Sequence, residues 1–142
     1  LMGGFSGNAG LFGSALDLAK MMQMYSNYGY YDYKQYISKS TLKEFTKVQF
    51  PENDNRRGLG FDKPLIGNDT LPINKAYPAP EVSAESFGHS GFTGTFVWAD
   101  PTHDLVFIFL SNRVYPNRKH RNIYNLNIRP KVQQVFYQAM KK

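Results

Sequence analysis

The residues best placed to do chemistry lie in one run, Phe87-Gly88-His89-Ser90-Gly91-Phe92-Thr93-Gly94-Thr95-Phe96-Val97-Trp98. An imidazole sits among small residues, and Gly91 and Gly94 open space beside the backbone. Glycine within a strand marks a place where a ligand or another backbone comes close. A substrate held against such an edge could take main-chain hydrogen bonds, with His89 nearby. Taken alone, His89 reads as a strand histidine satisfied by a backbone partner. His103, in a hairpin turn, and His120, in a basic loop, are isolated. No His, Asp or Glu spacing suggests zinc or another metal, so none is expected. Asp100 reads as a turn residue.

The elements that must position this run follow from local pattern. Thr93 to Ala99 and Leu105 to Ser111 predict two strands of a β-hairpin, with Asp100-Pro101 in a type I turn between them. Leu105 to Leu110 is almost wholly apolar, as expected of a strand covered on both faces. Ser14 and Asp17 form a capping-box-like pair at a helix start. Leu18, Met21, Met22 and Tyr25 then repeat at helical spacing as a core face, and Gly29 can end that helix in the left-handed conformation. The tyrosine-rich stretch from Tyr28 to Tyr36 reads as a surface loop. A second helix is expected near Ser40, burying Leu42 and Phe45, and a short strand over Gly58 to Asp62. Residues 63–84, with Pro64, Pro72, Pro78 and Pro80, read as a long loop. Pro130 suits the first turn of a last helix with a Val132, Val135, Phe136 and Ala139 stripe laid on the sheet.

Composition bounds the function. The 142 residues suffice for one domain with a real core, and 42% hydrophobic against 20% charged residues indicates a globular chain. With no Cys, disulfides and thiolate metal sites are excluded. No apolar run is long enough to span a bilayer. The net charge of +6 raises the question of nucleic acid. Yet the densest basic run, Arg113 with Arg118, Lys119, His120 and Arg121, reads as a solvated loop. It lacks the spaced aromatic platforms of single-strand binders, so no nucleic-acid partner is expected.

The run Gly88-His89-Ser90-Gly91-Phe92-Thr93-Gly94-Thr95, followed by Trp98 and Asp100-Pro101, resembles the third motif of the penicillin-recognising serine hydrolases. These are the class C β-lactamases, the D-alanyl-D-alanine peptidases and related esterases. In that family a Lys-Thr-Gly, or a His-x-Gly variant, lies on the strand bordering the active site; here the match is His89-Ser90-Gly91. Gly7-Asn8-Ala9-Gly10-Leu11-Phe12-Gly13-Ser14-Ala15-Leu16-Asp17-Leu18-Ala19 resembles a family helix start. Arg57-Gly58-Leu59-Gly60-Phe61 and Leu110-Ser111-Asn112-Arg113-Val114-Tyr115-Pro116-Asn117 resemble two further segments, in family order. The resemblance implies an α/β (α+β) fold of antiparallel sheet strands with flanking helices, the C-terminal part of a serine β-lactamase-like domain. Residues 1–50 would end a helical subdomain. Residues 57–142 would give sheet strands, a cleft loop and the C-terminal helix.

The resemblance also implies acyl transfer without a cofactor. A Ser nucleophile in Ser-x-x-Lys attacks a carbonyl, a Tyr-x-Asn tyrosine and the Lys manage the proton, and an acyl-enzyme forms. Ser40-Thr41-Leu42-Lys43 fits the first pattern, but it sits too close before His89 and after a segment it should precede. Tyr25-Ser26-Asn27 and Tyr115-Pro116-Asn117 fit the second in the wrong order. All three read as chance matches. The true motifs are expected in a missing N-terminal part of the same domain, so this chain alone should be inactive.

By motif position His89 borders the cleft, Ser90 offers a hydroxyl to substrate, Gly91 lets the backbone approach, and the Phe92 N–H is one of two oxyanion donors. Histidine where relatives have lysine replaces a fixed charge with a titratable one, which favours esterase-like or divergent activity. Asn112, Arg113 and Asn117 fall near the position of the substrate carboxylate; Arg113 either replaces the lost charge or is a solvent-exposed loop residue. The implied partner is a small-molecule or peptide substrate, and the implied location periplasmic or membrane-associated. A homo-oligomer through exposed strand edges is expected of a fragment. A non-catalytic binding or interaction module derived from the same fold is the alternative reading.

Overall fold

The structure, a computed structural model, describes residues 12–141. The Gly7-to-Leu11 part of the first motif lies outside the described residues.

Helix α1 (Ala15–Ser26) begins as its sequence dictates. The Ser14 hydroxyl accepts the Asp17 N–H at 3.2 Å, and the Asp17 carboxylate accepts the Ser14 N–H at 2.9 Å. These bonds satisfy donors that a helix start leaves without partners, and that from the Ser14 backbone holds the Asp17 carboxyl below its usual range. The expected stripe is divided: Met22 is buried and Tyr25 packs edge-on against Phe61, while Met21 is exposed. Tyr28 and Gly29 both take positive φ, and the Gly29 N–H returns to the Met24 carbonyl, so the chain leaves the helix where expected.

The tyrosine-rich stretch is not a plain loop. Strands β1 (Tyr30–Tyr31) and β2 (Lys34–Gln35) pair antiparallel into a minimal hairpin. Helix α2 (Lys39–Thr46) follows near Ser40 as expected, with Ser38 as its cap. The Ser38 hydroxyl accepts the Thr41 N–H at 3.1 Å. Leu42 is buried as expected, but Phe45 is 43% exposed. The strand expected over Gly58 to Asp62 does not form. Gly60 takes a φ of +79°, the chain doubles back, and only single bridges Arg57–Asp62 and Asp62–Gly88 remain.

Strands β3 (Phe87–Ser90), β4 (Phe96–Asp100) and β5 (Leu105–Phe109) form an antiparallel sheet in the order β3-β4-β5. Alternation along β4 divides the core into two layers. Val97 and Ala99 face Met22 of α1 and Phe87, while Phe96 and Trp98 face Ala79, Val82, Phe107 and Tyr137. The second layer is roofed by the long loop and by helix α4 (Ile128–Met140), which follows the short helix α3 (Asn122–Asn125). The loop is therefore structural: Pro78 and Ala79 are fully buried, and the Asn68 amide pins it by bonds to the Ala79 carbonyl and the Tyr77 N–H. On β5 only Phe107 is fully buried, so the expectation of complete cover on both faces is corrected.

Helix α4 lies on the sheet as expected, with Val132 on the core and Phe136 against Phe107, but its most buried face is rotated from the predicted stripe. Arg129, Pro130, Gln133 and Tyr137 are buried, whereas Val135 is 60% and Phe136 48% exposed. Polar anchors set the rotation. The Gln133 Oε1 accepts the Ala79 N–H at 3.1 Å, and the Tyr137 hydroxyl donates to Asp100 at 2.8 Å.

Asp100 is thus more than a turn residue. Its fully buried carboxylate accepts from the Ser83 N–H and hydroxyl, the Thr102 N–H, the Tyr137 hydroxyl and His103 Nδ1. His103, expected to be isolated, lies 3.0 Å from that carboxylate with its ring edge-on to Tyr137. Burial opposes the charge on Asp100, but bonds from Ser83, Tyr137 and His103 outweigh it and hold the carboxyl below its usual range. Such a depressed value contributes stability above the unfolded-state value, near pH 4, that is lost as pH falls through the folded value. Asp100→Asn should therefore cost about 2 kcal/mol at neutral pH, and less as the pH falls through that window. Urea melts at a series of pH values check both effects.

Candidate active-site edge

The candidate site is built on β3 and the turn that follows it. Gly88 exchanges two backbone bonds with Asp62, at 2.7 and 3.0 Å, on the edge of β3 away from β4. In an antiparallel ladder the hydrogen-bonding direction alternates, so the Ser90 backbone faces that same outer edge. The Gly91 N–H turns back to the Thr95 carbonyl at 2.7 Å, and the Gly94 N–H closes on the Gly91 carbonyl at 3.0 Å. Among the described residues the Phe92 N–H has no backbone acceptor. It is the group that the family resemblance assigns to an oxyanion.

Two glycines explain why this corner is tight. A Cβ on Gly88 would lie 2.1 Å from the Val97 carbonyl oxygen and 2.4 Å from the Trp98 ring. Gly94 takes a φ of +98°, and its Cβ would meet the Ser111 hydroxyl at 2.5 Å. Gly91 differs: its nearest neighbour would be Thr95, at an ordinary 3.6 Å. No packing within the described residues requires glycine there, so the space it leaves faces outward.

His89 is exposed, and its Nδ1 accepts the Ser90 N–H at 2.7 Å. The ring also stands over the outward-facing backbone of Ser90, whose carbonyl is 3.0 Å from the same nitrogen. Successive strand side chains point to opposite faces, so His89 and Ser90 diverge. His89 pairs with Val97 on the α1 side, and Ser90 pairs with Phe96 on the α4 side. There Ser90 approaches the buried Tyr77 phenol, whose proton is held more tightly than usual because of burial.

Arg113 is brought to the turn and bonded there through Nε and Nη1. Its Nε donates to the Phe92 carbonyl at 2.8 Å and lies 3.0 Å from the Tyr124 hydroxyl, and Nη1 donates to the Arg118 and His120 carbonyls. Its guanidinium covers the rings of Phe92 and Tyr124 at 4.5 and 5.0 Å. Asn117 closes its own turn by accepting the Lys119 N–H at 2.9 Å, and Asn112 is exposed. Of the three proposed carboxylate contacts, Arg113 alone reaches the 91–94 turn. Tyr124 and Arg129 also reach it, at the Phe92 and Gly94 carbonyls, and Tyr77 packs beside it on Phe96 and Trp98. Sequence reasoning missed them because an aromatic in an irregular loop and an arginine before Pro130 carry no local signal.

Ser40 and Lys43 lie apart from this edge. They border a cleft of about 450 Å³ with Tyr28, Lys47, Glu85 and Phe87. The Ser40 hydroxyl is 3.0 Å from that of Ser38, and Lys43 lies over the Tyr28 ring, not beside the serine. Among the described residues no cluster of His, Asp and Glu could hold a metal ion.

The Beta-lactamase family matches residues 1–128. The chain belongs to the β-lactamase family. A protein of Escherichia coli O157:H7, provisionally assigned as a D-alanyl-D-alanine carboxypeptidase, is 38% identical over 112 residues, which cover 79% of this chain and 24% of that protein. Proteins of the same provisional assignment from Salmonella gallinarum and Salmonella typhi are 34% identical over 131 residues, covering 92% of this chain and 28% of theirs. The chain thus spans about a quarter of the length of these curated relatives. The helices and antiparallel strands fit an α/β β-lactamase-like fold, and the family is one of serine hydrolases.

The unequal space at the glycines gives a test. Gly88→Ala forces a methyl into backbone and ring and should destabilise the chain by about 3 kcal/mol, whereas Gly91→Ala should change stability by less than about 0.5 kcal/mol. Equal losses in denaturant titrations would show that Gly91 is held by internal packing.

Proposed function

We propose that this chain forms one wall of an acyl-transfer site in a serine hydrolase that cleaves an amide or ester. The observation that carries the reading is the Phe92 N–H, left without a backbone acceptor at the end of a strand edge and braced from behind by Arg113. In the reaction the serine oxygen bonds to the substrate carbonyl carbon while the leaving group departs with a proton. The carbonyl oxygen, negative in the intermediate, takes the Phe92 N–H as one of its donors. A preorganised main-chain donor of this kind contributes about 3 kcal/mol to the transition state. Gly91 gives the room for close approach, and His89 lines the α1 side of the edge. A histidine here, in place of a permanent cation, supports esters or uncharged amides over substrates recognised by a carboxylate.

The nucleophile and its proton partners belong, on this reading, to another part of the same domain, and the chain alone is inactive. Intact-mass measurement after incubation with a fluorophosphonate and with a penicillin should show no adduct. An adduct on Ser40 would sink the proposal. Binding is tested separately by amide chemical shifts with an uncharged ester, phenyl acetate, at millimolar concentration. Shifts should concentrate at Ser90 to Thr95; shifts confined to the cleft beside Ser40 would place recognition elsewhere.

The outer edge of β5 carries Leu105-Val106-Phe107-Ile108-Phe109, with no charge or proline to discourage pairing. Strand pairing through that edge should make the isolated chain a homo-oligomer. Light scattering behind size-exclusion chromatography checks this, and a monomer at high protein concentration would count against it.

A further inference from the structure

We infer that the β1–β2 hairpin and the start of α2 form a docking surface for anionic phospholipid. The first sign is the hairpin tip. Asp32 and Tyr33 sit at positive φ, +47° and +61°, between the paired residues Tyr31 and Lys34. A two-residue turn of this form favours Asn or Gly, because side chains beyond Cβ crowd the left-handed backbone. This chain instead places a tyrosine there, 93% exposed and outside the hydrophobic core. A bulky residue held in an unfavourable conformation at a tip, without an internal packing role, points to a contact made outside the chain.

The second sign is the surroundings of that tip. Tyr30 is 44% and Tyr36 55% exposed, and Lys34, Lys39 and Lys43 lie among the tyrosines. Lys47 is not counted, because Glu44 pairs with it at 2.7 Å. Tyrosine is suited to a membrane–water boundary, with an apolar ring and a polar hydroxyl, and lysine stems can lie along apolar surface while the ammonium reaches headgroups. The three lysines outnumber Asp32, the carboxylate in the turn itself, and so complement a surface of acidic headgroups. Sugar rings or bases would stack on open aromatic faces instead. Here the Lys34 ammonium lies 5.0 Å over the Tyr36 ring and that of Lys39 4.7 Å over Tyr28, so one face of each already carries a cation, and Tyr33 is left as the exposed ring of the tip. Among the described residues no helix is long and apolar enough to cross a membrane, and the contact inferred is peripheral.

Co-sedimentation of the chain with vesicles tests the inference. Binding is expected to vesicles of equal parts phosphatidylcholine and phosphatidylglycerol, and not to phosphatidylcholine alone. Tyr33→Asn suits the left-handed backbone, so it should keep or raise the melting temperature while reducing binding about tenfold. The triple variant Lys34→Gln, Lys39→Gln, Lys43→Gln should weaken binding more than tenfold, each lysine near an anionic surface contributing about fivefold, with an unchanged far-ultraviolet circular dichroism spectrum. Equal binding to both vesicle types would overturn the proposal, as would full binding by the Tyr33 variant. Retention of the chain on insoluble polysaccharide, lost with Tyr33→Asn but unaffected by the lysine changes, would assign the surface to a glycan and also overturn it.

Discussion

The buried carboxylate of Asp100 is the joint on which the fold depends. It terminates β4 and accepts bonds from the long loop through Ser83, from its own turn through Thr102 and His103, and from α4 through Tyr137. Loop, hairpin and terminal helix share few regular backbone bonds, so one anion with several donors replaces the ladder that would otherwise join them. A buried charge is tolerated only when it is so fully bonded. Lys63 shows the opposite case nearby. Burial pushes its ammonium down to about 8, against the pull of Glu85 and Asp100, and its charge is met by the Glu85 carbonyl at 2.9 Å.

This joint is what lets an irregular segment serve as a wall of the core. With Ser83 fixed to Asp100 and Ala79 fixed to Gln133, the loop brings Tyr77 onto Phe96 and Trp98. That packing supports the α4 side of β3, on which Ser90 lies. The α1 side is supported separately by Phe61, Phe87 and Met22. The candidate edge is thus held between two layers, and its open donor is the Phe92 N–H, since that of Ser90 is bonded to His89.

Much of this was legible in the sequence where the signal is local. Ser14 with Asp17, the break at Gly29, and the hairpin around Asp100-Pro101 follow from capping, turn and alternation rules. The candidate run was legible because its glycines stand where no Cβ fits, at Gly88 and Gly94, or where the space is left open, at Gly91. Signals that depend on distant partners were not legible. The rotation of α4 is set by Ala79 and Asp100, more than thirty residues away, and no helical periodicity could report it. Gly58 to Asp62 looks like a strand until Gly60 bends it, and the clamp of Arg113 on Phe92 spans a separation its basic neighbours concealed.

The partners of Arg113 have one more consequence. Its guanidinium is held by carbonyl oxygens, a hydroxyl and two ring faces, and by no carboxylate among the described residues. Short contacts of this kind leave little room for counterions to intervene. On the other flank of β3, the buried Asp62 carboxylate is met by Arg56 at 3.6 Å and by Arg57, 53% exposed, at 3.1 Å, and the Arg57 end of this cluster is the part open to Debye screening. The two supports of one strand edge therefore differ in their response to ionic strength: concentrated electrolyte would weaken the Arg57 contact, while the backbone bonds of Asp62 with Gly88 and the Phe92 turn keep their shape.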